Sequence, residues 1–316
     1  MPPGACRIVN RCCATACETV ATPSSIERVP IQRVAARWLH RDRVVIEVLR
    51  ADLVDTQLSG NKYFKLLPNL AAARQAGSHV LLSFGGPWSN HLHALAAAGA
   101  RYGFQTVGLV RGEPQSTACL ADAVRWGMHL HFISRTAYRR RAEPGFLDAW
   151  RERYGKVWCI PEGGANLAGI TGCRALLPTT TDHTHVMLAC GTGATLAGLA
   201  TVRQQPLIGV QVLKGAGYLQ AEVARLLQVH GLRAQCPWQV LDGFHAGGYG
   251  RWSPDLLALM HRFEADSGIP LDPVYGAKLV SAAAALVADG YFPSGAKVLL
   301  VHGGGLQGRR SLDGSA

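Results

Sequence analysis

Short apolar runs alternate with helical patterns from about residue 44 onward, and this alternation restricts the fold more than any other feature of the chain. The runs are almost continuously apolar, which is typical of strands that are covered on both faces. Strands separated by helices predict an α/β fold with mostly parallel sheets and helices on both sides. The predicted strands are VVIEVL (44–49), HVLLSF (79–84), TVGLV (106–110), LHFIS (130–134), VWCI (157–160), HVMLAC (185–190), LIGVQVL (207–213) and KVLLVH (297–302). They fit one sheet or two.

Three of the helical patterns carry end signals. The segments 90–103 and 218–231 each end in glycine, which is common just past the C-terminus of a helix. The segment 253–268 opens with Ser253 and Pro254, which favour the N-cap and the first helical position. These signals predict three helices between the strands.

The composition narrows the classes of partner. Hydrophobic residues make up 48% of the chain and charged residues 17%, which is enough apolar material for a sizeable core. The formal net charge of +11 favours acidic small molecules, phosphates or nucleic acid. Because no nucleic-acid-binding motif is present, we expect no nucleic-acid partner. No run approaches the roughly 18 apolar residues of a membrane span, so we expect no membrane association either.

The first 25 residues are predicted to form a loose tail, with a transit peptide as the alternative. They lack the apolar core of a secretory signal. Their cysteines do not follow the usual zinc-binding spacings, and we expect no metal site. Nine cysteines scattered over the chain fit a reduced, cytoplasmic setting.

Glycine-rich turns follow several of the predicted strands. Ligands bind at the carboxyl ends of strands in open parallel sheets, and glycines there allow the backbone to approach a ligand closely. We therefore expect these turns to border a shared crevice. They read FGGPWSN (84–90), PEGGAN (161–166), CGTGATLAG (190–198) and HGGGLQG (302–308).

The turn CGTGATLAG follows a buried strand and opens a helix, which is an arrangement that binds phosphate through backbone N–H groups. The N–H groups of Gly191 to Thr195 would converge there, and the hydroxyls of Thr192 and Thr195 add donors. An ordinary tight turn is the alternative. The segment completes neither G-x-G-x-x-G nor a Walker loop, so a phosphate site is favoured over a nucleotide site.

Two lysines follow a Ser-Gly-Asn break in SGNKYFKL (59–66). Lys62 and Lys65 are three residues apart and would share one face of the predicted helix, in which Pro68 introduces a kink or a restart. A desolvated lysine at a helix start is kept neutral and is then a nucleophile toward carbonyls. Two lysines and a phosphate loop suit pyridoxal 5'-phosphate. A nicotinamide-dependent oxidoreductase, with CGTGATLAG as its dinucleotide loop, remains open at this point.

Six segments carry a resemblance to a known family. They are SGNKYFKL, FGGPWSNHLHALAAAG, PEGGANLAGITG, CGTGATLAGLA, DPVYGAKL and VLLVHGGGLQG. In this order they resemble the D-cysteine desulfhydrase / 1-aminocyclopropane-1-carboxylate deaminase family, a branch of the tryptophan-synthase-β-like (fold type II) pyridoxal-phosphate enzymes. The resemblance covers about residues 44 to 310.

The resemblance assigns roles around the cofactor. It implies that Lys62 binds the cofactor aldehyde covalently and that Lys65 and Asn90 lie near the phosphate. The phosphate would also be held by Gly191, Thr192, Gly193, Ala194 and Thr195, with close backbone approach at Gly193.

The resemblance also assigns residues to the substrate and the cofactor ring. Ser89 would lie beside the reacting atoms and handle a proton. The backbone N–H groups of Ser89, Asn90 and His91 would hold the substrate carboxylate, and Tyr249 and Tyr275 would flank the ring.

The family fold implies two open, twisted, mostly parallel sheet domains with the cofactor in the cleft between them. The small domain would span residues 66–162, and the large cofactor-binding domain would combine 26–65 with 163–316. The implied activity is that of a lyase or deaminase on a small amino acid, foremost β-elimination from D-cysteine to pyruvate, ammonia and sulfide. A homodimer is expected.

Two positions depart from the family pattern. Desulfhydrase-like members tend to have Ser or Thr at both positions, and deaminase-like members have Glu and Leu. This chain has Gly276 and Gly303, which offer no side chain to the pyridine nitrogen of the cofactor. Deamination of 1-aminocyclopropane-1-carboxylate and weakly catalytic cofactor binding therefore remain as alternatives.

Overall fold

The computed structural model describes residues 29–179, 181–215 and 217–312 of the chain, and its strands form two sheets. The predicted tail at 1–25 and its cysteines lie outside these residues. The strands are β1 (Ile31–Arg33), β2 (Val45–Leu49), β3 (Val80–Gly85), β4 (Gln105–Arg111), β5 (His129–Ile133), β6 (Val157–Ile160), β7 (His185–Cys190), β8 (Leu207–Gln211), β9 (Trp238–Leu241) and β10 (Lys297–Val301).

The larger sheet has the order β1-β2-β10-β7-β8-β9 and the smaller sheet has the order β5-β4-β3-β6. Every pairing is parallel except that of β1 with β2. The prediction of an α/β fold with mostly parallel sheets is confirmed, and each of the eight predicted strands is present. The sequence pattern missed β1 and β9, because these short edge strands lack a buried apolar run.

Helices lie between the strands in the predicted alternation. They are α1 (Asn61–Gln75), α2 (Asn90–Tyr102), α3 (Ala118–Arg125), α4 (Arg135–Arg139), α5 (Asp148–Tyr154), α6 (Leu167–Gly172), α7 (Ala194–Ala200), α8 (Tyr218–Val229), α9 (Pro254–Ser267) and α10 (Gly276–Ala288). The predicted ends of α2 and α9 are confirmed, because Gly103 and Gly268 follow them with left-handed φ values of 71° and 69°.

Helix α1 runs through Pro68 without interruption, so the helix does not restart there, which was one of the two expectations. Proline has no N–H for the carbonyl of the residue four positions earlier, which here is Phe64. The backbone of α6 fills that space: a Cβ at Gly172 would lie 1.9 Å from the Phe64 oxygen. Only glycine therefore allows α6 to pack against α1 at this point.

Both faces of the larger sheet are covered, as its apolar strands predicted. In β10, Leu300 packs in one core cluster with Met260 and Phe263 of α9. Its neighbour Leu299 points to the other face and packs with Leu196 of α7 and helix α8. The strands of the smaller sheet fall between residues 80 and 160, and the domain boundaries given above remain predictions. Within the described residues, no helix is long and apolar enough to span a membrane.

Candidate active site

A cavity of about 460 Å³ lies where the carboxyl ends of strands from both sheets meet. All four glycine-rich turns border it, as we expected for a shared crevice. The residues that were predicted for the site and that line it are Lys62, Lys65, Ser89, Asn90, His91, Gly191, Thr192, Gly193, Thr195, Tyr249 and Tyr275. Ala194 is buried in α7 and does not line the cavity, so only its backbone N–H could take part in binding a phosphate.

The position of Lys62 is set by close contact between the turn before α1 and the turn after β10. Gly60, with a φ of 67°, precedes α1, and a Cβ there would lie 1.9 Å from the carbonyl oxygen of Gly303. The N–H of Asn61 donates to the same oxygen at 3.2 Å. The Ser-Gly-Asn break thus fixes the start of α1 against the turn after β10, with Lys62 in the cavity.

The environment of Lys62 favours a neutral amine. Burial and, to a smaller extent, the nearby charge of Lys65 lower its pKa to about 7. The Nζ atom donates to Asn61 Oδ1 at 2.8 Å, and Asn61 Nδ2 donates to Thr195 Oγ1 at 3.0 Å. A chain of hydrogen bonds therefore links the lysine to the turn that was predicted to bind phosphate.

Lys65 lies one turn further along α1 and also lines the cavity, as the three-residue spacing predicted. It is almost completely buried, and burial lowers its pKa. Its Nζ donates to the carbonyl oxygen of Gly163 at 3.0 Å, in the turn after β6. This hydrogen bond connects α1 to the turn that follows β6 of the smaller sheet. The side chain still lines the cavity, and its role in binding the cofactor phosphate remains a prediction.

The turn between β7 and α7 has the backbone expected of a phosphate loop, but the reason for Gly193 differs from our expectation. The first N–H groups of α7 have no acceptor within the helix. Gly193 precedes them with a φ of 77°, and a Cβ there would lie 2.6 Å from Val223 Cγ2 of α8, so its missing side chain makes room for packing. At Gly191, in contrast, a Cβ would enter the cavity, 3.3 Å from the hydroxyl of Tyr275.

Ser89 is the N-cap of α2 and lines the cavity at the same time. Its Oγ accepts from the N–H of Leu92 at 3.2 Å, so its own proton is free for another acceptor. Its backbone N–H donates to Gly86 at 3.0 Å and is therefore occupied, contrary to our expectation that it holds a substrate carboxylate. The N–H groups of Asn90 and His91 remain for that purpose.

His91 is held in its neutral form. Its Nε2 is 3.0 Å from Ser83 Oγ, which itself donates to the carbonyl of Ile160, so Nε2 carries the proton. Burial, together with the charges of Lys62 and Lys65, keeps the pKa of His91 well below its usual value. The side chain adds no positive charge to the cavity.

The two predicted tyrosines lie together on the larger-sheet side of the cavity. The rings of Tyr249 and Tyr275 meet edge to face with centroids 6.4 Å apart. Burial raises the pKa of both hydroxyls, so both stay protonated. The Tyr249 hydroxyl donates to the carbonyl of Trp88 at 2.9 Å, directly before Ser89.

Gly276 and Gly303, the two positions that differ from the family pattern, have different surroundings. A Cβ at Gly303 would have no neighbour closer than 3.8 Å, the Nδ2 atom of Asn61. A Cβ at Gly276 would lie 3.1 Å from Leu271 and 3.3 Å from the Oδ1 atom of Asp272. The carboxylate of Asp272 accepts the N–H of Gly276 at 2.8 Å at the start of α10. Only Gly303 has room for a larger side chain.

The cavity has two parts with different exposure. We call Asn61, Lys62, Lys65, Ser89 and Thr195 the floor, since these lining residues are buried or half-buried. We call the exposed lining cations the mouth, and they are Arg111, Lys214 and Arg251. Sequence reasoning missed the whole mouth and the role of Asn61. Asn61 stands directly before Lys62 in the motif, which was a signal; the mouth cations carry no local signal.

The residues of the floor fit pyridoxal phosphate. A neutral amine at Lys62 suits the cofactor aldehyde, while the N–H groups and threonine hydroxyls at the start of α7 suit a phosphate. Gly191 keeps the space between that turn and Tyr275 clear. Within the described part of the chain, no group of three or more His, Cys, Asp or Glu side chains is arranged to hold a metal ion.

This chain is similar in sequence to several relatives and in fold to a solved structure. A Thermotoga maritima protein provisionally named 1-aminocyclopropane-1-carboxylate deaminase is 31% identical over 83% of this chain and 89% of its own length. A Serratia proteamaculans protein named D-cysteine desulfhydrase is 27% identical over 82% of this chain and 86% of its own length. The crystal structure of a homologue of 1-aminocyclopropane-1-carboxylate deaminase superposes with a TM-score of 0.77 at 23% identity, covering 89% of this chain and 90% of that one.

A family match covers most of the chain. The sequence model of the family described as "Pyridoxal-phosphate dependent enzyme" matches residues 55–304, which include every predicted site residue. The match leaves the nicotinamide alternative without support, and it agrees with the lysine, the phosphate turn and the two-sheet fold described above. This chain belongs to the pyridoxal-phosphate-dependent enzyme family.

Proposed function

We propose that the protein is a lyase that removes the β-substituent of a small amino acid, with D-cysteine as the reference substrate. The products are then pyruvate, ammonia and sulfide. The observation that carries the proposal is the amine of Lys62, whose pKa is lowered to about 7 in the same cavity as the Ser89 hydroxyl. An amine that can take up and release a proton near neutral pH therefore faces the same reaction space as a hydroxyl group.

The residues divide the work of the reaction. The bound cofactor serves as the electron sink for the carbon that loses its proton. Lys62 or Ser89 accepts the proton from Cα, and the N–H groups of Asn90 and His91 orient the substrate carboxylate at the start of α2. The hydrogen bond from Tyr249 to Trp88 joins the two sides of the cavity and helps to exclude water.

A second candidate is deamination of 1-aminocyclopropane-1-carboxylate to 2-oxobutanoate and ammonia. The names of the relatives support both reactions, and a plant relative from Arabidopsis thaliana is named for both. Gly276 and Gly303 favour β-elimination, because neither offers a side chain to the ring nitrogen. A thiolate leaves readily without that support, whereas a cyclopropane has no leaving group and depends on it more.

The test compares keto-acid formation from D-cysteine and from 1-aminocyclopropane-1-carboxylate at equal enzyme and cofactor concentrations. We expect pyruvate and sulfide from D-cysteine and little 2-oxobutanoate. Faster formation of 2-oxobutanoate would establish the deaminase instead. If neither substrate reacts in protein that has bound its cofactor, the proposal fails and weakly catalytic cofactor binding takes its place. Lys62→Ala is the blank for turnover.

We also propose a homodimer in a reduced, cytoplasmic setting that binds neither nucleic acid nor membranes. The setting is supported by the cysteines within the described residues, which are free: Cys119, Cys159, Cys173, Cys190 and Cys236. The dimer rests on the family resemblance. Sedimentation velocity of the holoenzyme tests it, and a single species of about 34 kDa would overturn it.

A further inference from the structure

The mouth of the cavity has an excess of positive charge. Among the residues that the structure describes, Arg111, Lys214 and Arg251 form no ion pair and no side-chain hydrogen bond; Arg111 only lies over the ring of Tyr138, at 5.6 Å. The acidic residue that lines the cavity is Glu162, whose charge is offset by a 3.0 Å contact with Arg141.

These cations come from opposite sides of the cleft. Arg111 ends β4 of the smaller sheet, and its Nη2 would lie 3.8 Å from a Cβ placed at Gly86 in the turn before α2. Lys214 and Arg251 flank a turn on the larger-sheet side: a Cβ at Gly248 would lie 3.5 Å from Lys214 Cβ, and one at Gly247 would lie 3.4 Å from Arg251 Cβ.

Two buried contacts hold that turn in place. Lys278 is fully buried, and its Nζ donates to the carbonyl of Gly248 at 2.8 Å and to that of Val212 at 3.3 Å. The Tyr249 hydroxyl then reaches across the cleft to Trp88 at 2.9 Å. The turn is thereby fixed against the loop before α2, so the cations of both sides face the same opening.

We infer that the preferred substrate carries a second anion on its β-substituent and that the mouth binds it. The inference rests on the proposed function and specifies its substrate class: amino acids whose β-carbon bears an oxyanion group, with O-phosphoserine as the simplest member. An anion between the two sides would neutralise cations that otherwise repel one another across the cleft.

The α-carboxylate does not account for the mouth. It is assigned to the N–H groups of Asn90 and His91, and the cofactor phosphate is assigned to the floor and the turn before α7. One carboxylate would in any case leave most of the charge of Arg111, Lys214 and Arg251 without a partner. A second anionic group on the substrate would balance this remaining positive charge.

The same cations would assist departure of the β-substituent. The Cα–H bond breaks with its proton passing to Lys62 or Ser89, a Cα=Cβ bond forms, and the Cβ–O bond breaks with its electron pair leaving on phosphate. Water then hydrolyses the unsaturated amine. The sum is O-phosphoserine and water giving pyruvate, ammonia and phosphate, with no oxidant or reductant. Fixed positive charge where negative charge develops lowers the barrier to this step.

The test measures kcat/KM of the holoenzyme for D- and L-O-phosphoserine, for both enantiomers of serine and for D-cysteine. We expect the better phosphoserine enantiomer to exceed the matching serine about 100-fold or more at low salt, because several cations contribute. In Arg251→Gln and in Arg111→Gln, the ratio of kcat/KM for phosphoserine to that for D-cysteine should fall about tenfold or more. Arg233→Gln removes one exposed charge outside the cavity and should leave the ratio unchanged.

A binding measurement separates the two proposals. Phosphoserine should perturb the absorbance of the bound cofactor with an affinity that weakens in Arg251→Gln and in Arg111→Gln but not in Arg233→Gln. Turnover of D-cysteine with phosphoserine no better than serine would overturn the inference and leave the proposed function standing. Turnover of phosphoserine with D-cysteine inert would uphold the inference and the lyase activity, and would remove D-cysteine as the reference substrate. Charge-dependent binding of phosphoserine without turnover would overturn the inference, because the mouth would then bind an anion that is not a substrate. Silence toward every compound in cofactor-loaded protein would overturn both.

Discussion

The floor and the mouth of the cavity differ in how their charged groups are partnered. On the floor, Lys62 and Lys65 are withdrawn from solvent and hydrogen-bonded to Asn61 and to the Gly163 carbonyl. At the mouth, Arg111, Lys214 and Arg251 are exposed and have no ion-pair partner within the described residues. The lysines of the floor thus have hydrogen-bond partners within the chain, whereas the cations of the mouth have no acidic partner among the described residues.

This difference suggests separate roles for the two parts of the cavity, with the reaction on the floor and substrate selectivity at the mouth. Burial changes the chemistry of a lysine, because it favours the neutral amine, and the floor therefore determines what reaction is available. An exposed cation acts on charged ligands as they approach, and we propose that the mouth selects which molecule enters. Changes on the floor should abolish function, and changes at the mouth should redirect it.

The largest contrast is expected between two lysines of the same cavity. Lys62→Ala should lower kcat for D-cysteine by about 10³-fold or more, because proton transfer by a positioned group alone contributes ~10²–10⁴-fold. Lys214→Ala should lower kcat/KM for D-cysteine by less than about tenfold, since D-cysteine carries no oxyanion group on its β-carbon for the mouth to bind. Steady-state kinetics check both. Comparable losses would mean that the two parts do not differ as described.

The packing behind the floor should be far less tolerant than a similar open position. Gly193 and Gly217 both precede helices with positive φ, 77° and 67°, but only Gly193 has a close neighbour, Val223. Gly193→Ala should lower the free energy of unfolding by about 2–5 kcal/mol through strain and overpacking, and should weaken cofactor binding. Gly217→Ala should cost about 1 kcal/mol from backbone strain alone.

Urea unfolding and cofactor titration of the two variants measure that difference. Equal losses of stability in Gly193→Ala and Gly217→Ala would show that the positive φ alone, and not the contact with Val223 of α8, requires glycine at position 193. Unchanged cofactor affinity in folded Gly193→Ala would move the phosphate site away from this turn.

The two departing glycines should respond differently to threonine. Gly276→Thr should lower the free energy of unfolding by about 1–3 kcal/mol, because its Cβ would press on Leu271 and Asp272. Gly303→Thr has room and should leave stability nearly unchanged while raising the D-cysteine rate if the hydroxyl reaches the ring nitrogen. Thermal unfolding and pyruvate assays check this pair. An unstable Gly303→Thr variant with a stable Gly276→Thr variant would contradict the packing described here.

The capture of cofactor by apoprotein should depend on pH through Lys62. Its lowered pKa of about 7 means that the reactive neutral amine is lost as pH falls through 7, so capture at pH 6 should be about tenfold slower than at pH 8. Lys65→Met removes a neighbouring positive charge and should move the profile to higher pH. Lys214→Met is the control from the mouth. Stopped-flow absorbance records the rates, and an identical profile for Lys65→Met would contradict the assigned cause.

Motifs that lie close together in the chain were readable from the sequence. The strand runs, the four glycine turns and the pair Lys62 and Lys65 each depend on local pattern, and the structure brings them to one cavity. The edge strands β1 and β9 were missed because an edge strand needs no continuous apolar run.

Contacts between distant segments were not readable in the same way. The true neighbour of Gly193 is Val223, and the acceptor of Lys65 is the carbonyl of Gly163. Arg111 lies more than a hundred residues before Lys214 and Arg251 in the chain, so only the folded chain shows that these cations share an opening. Local sequence motifs identify side chains that can react, whereas tertiary packing determines which residues surround those side chains.

The most direct test of the central claim is to find the lysine that carries the cofactor. Borohydride reduction of the holoenzyme, followed by peptide mapping, distinguishes Lys62 from Lys65, which lies on the same helix and in the same cavity. The floor as described predicts label on Lys62 alone, because a pKa of about 7 leaves a large share of its amine neutral near pH 7 and the amine is not bonded to a backbone carbonyl. Label on Lys65, or on any other lysine with Lys62 unmodified, would contradict it.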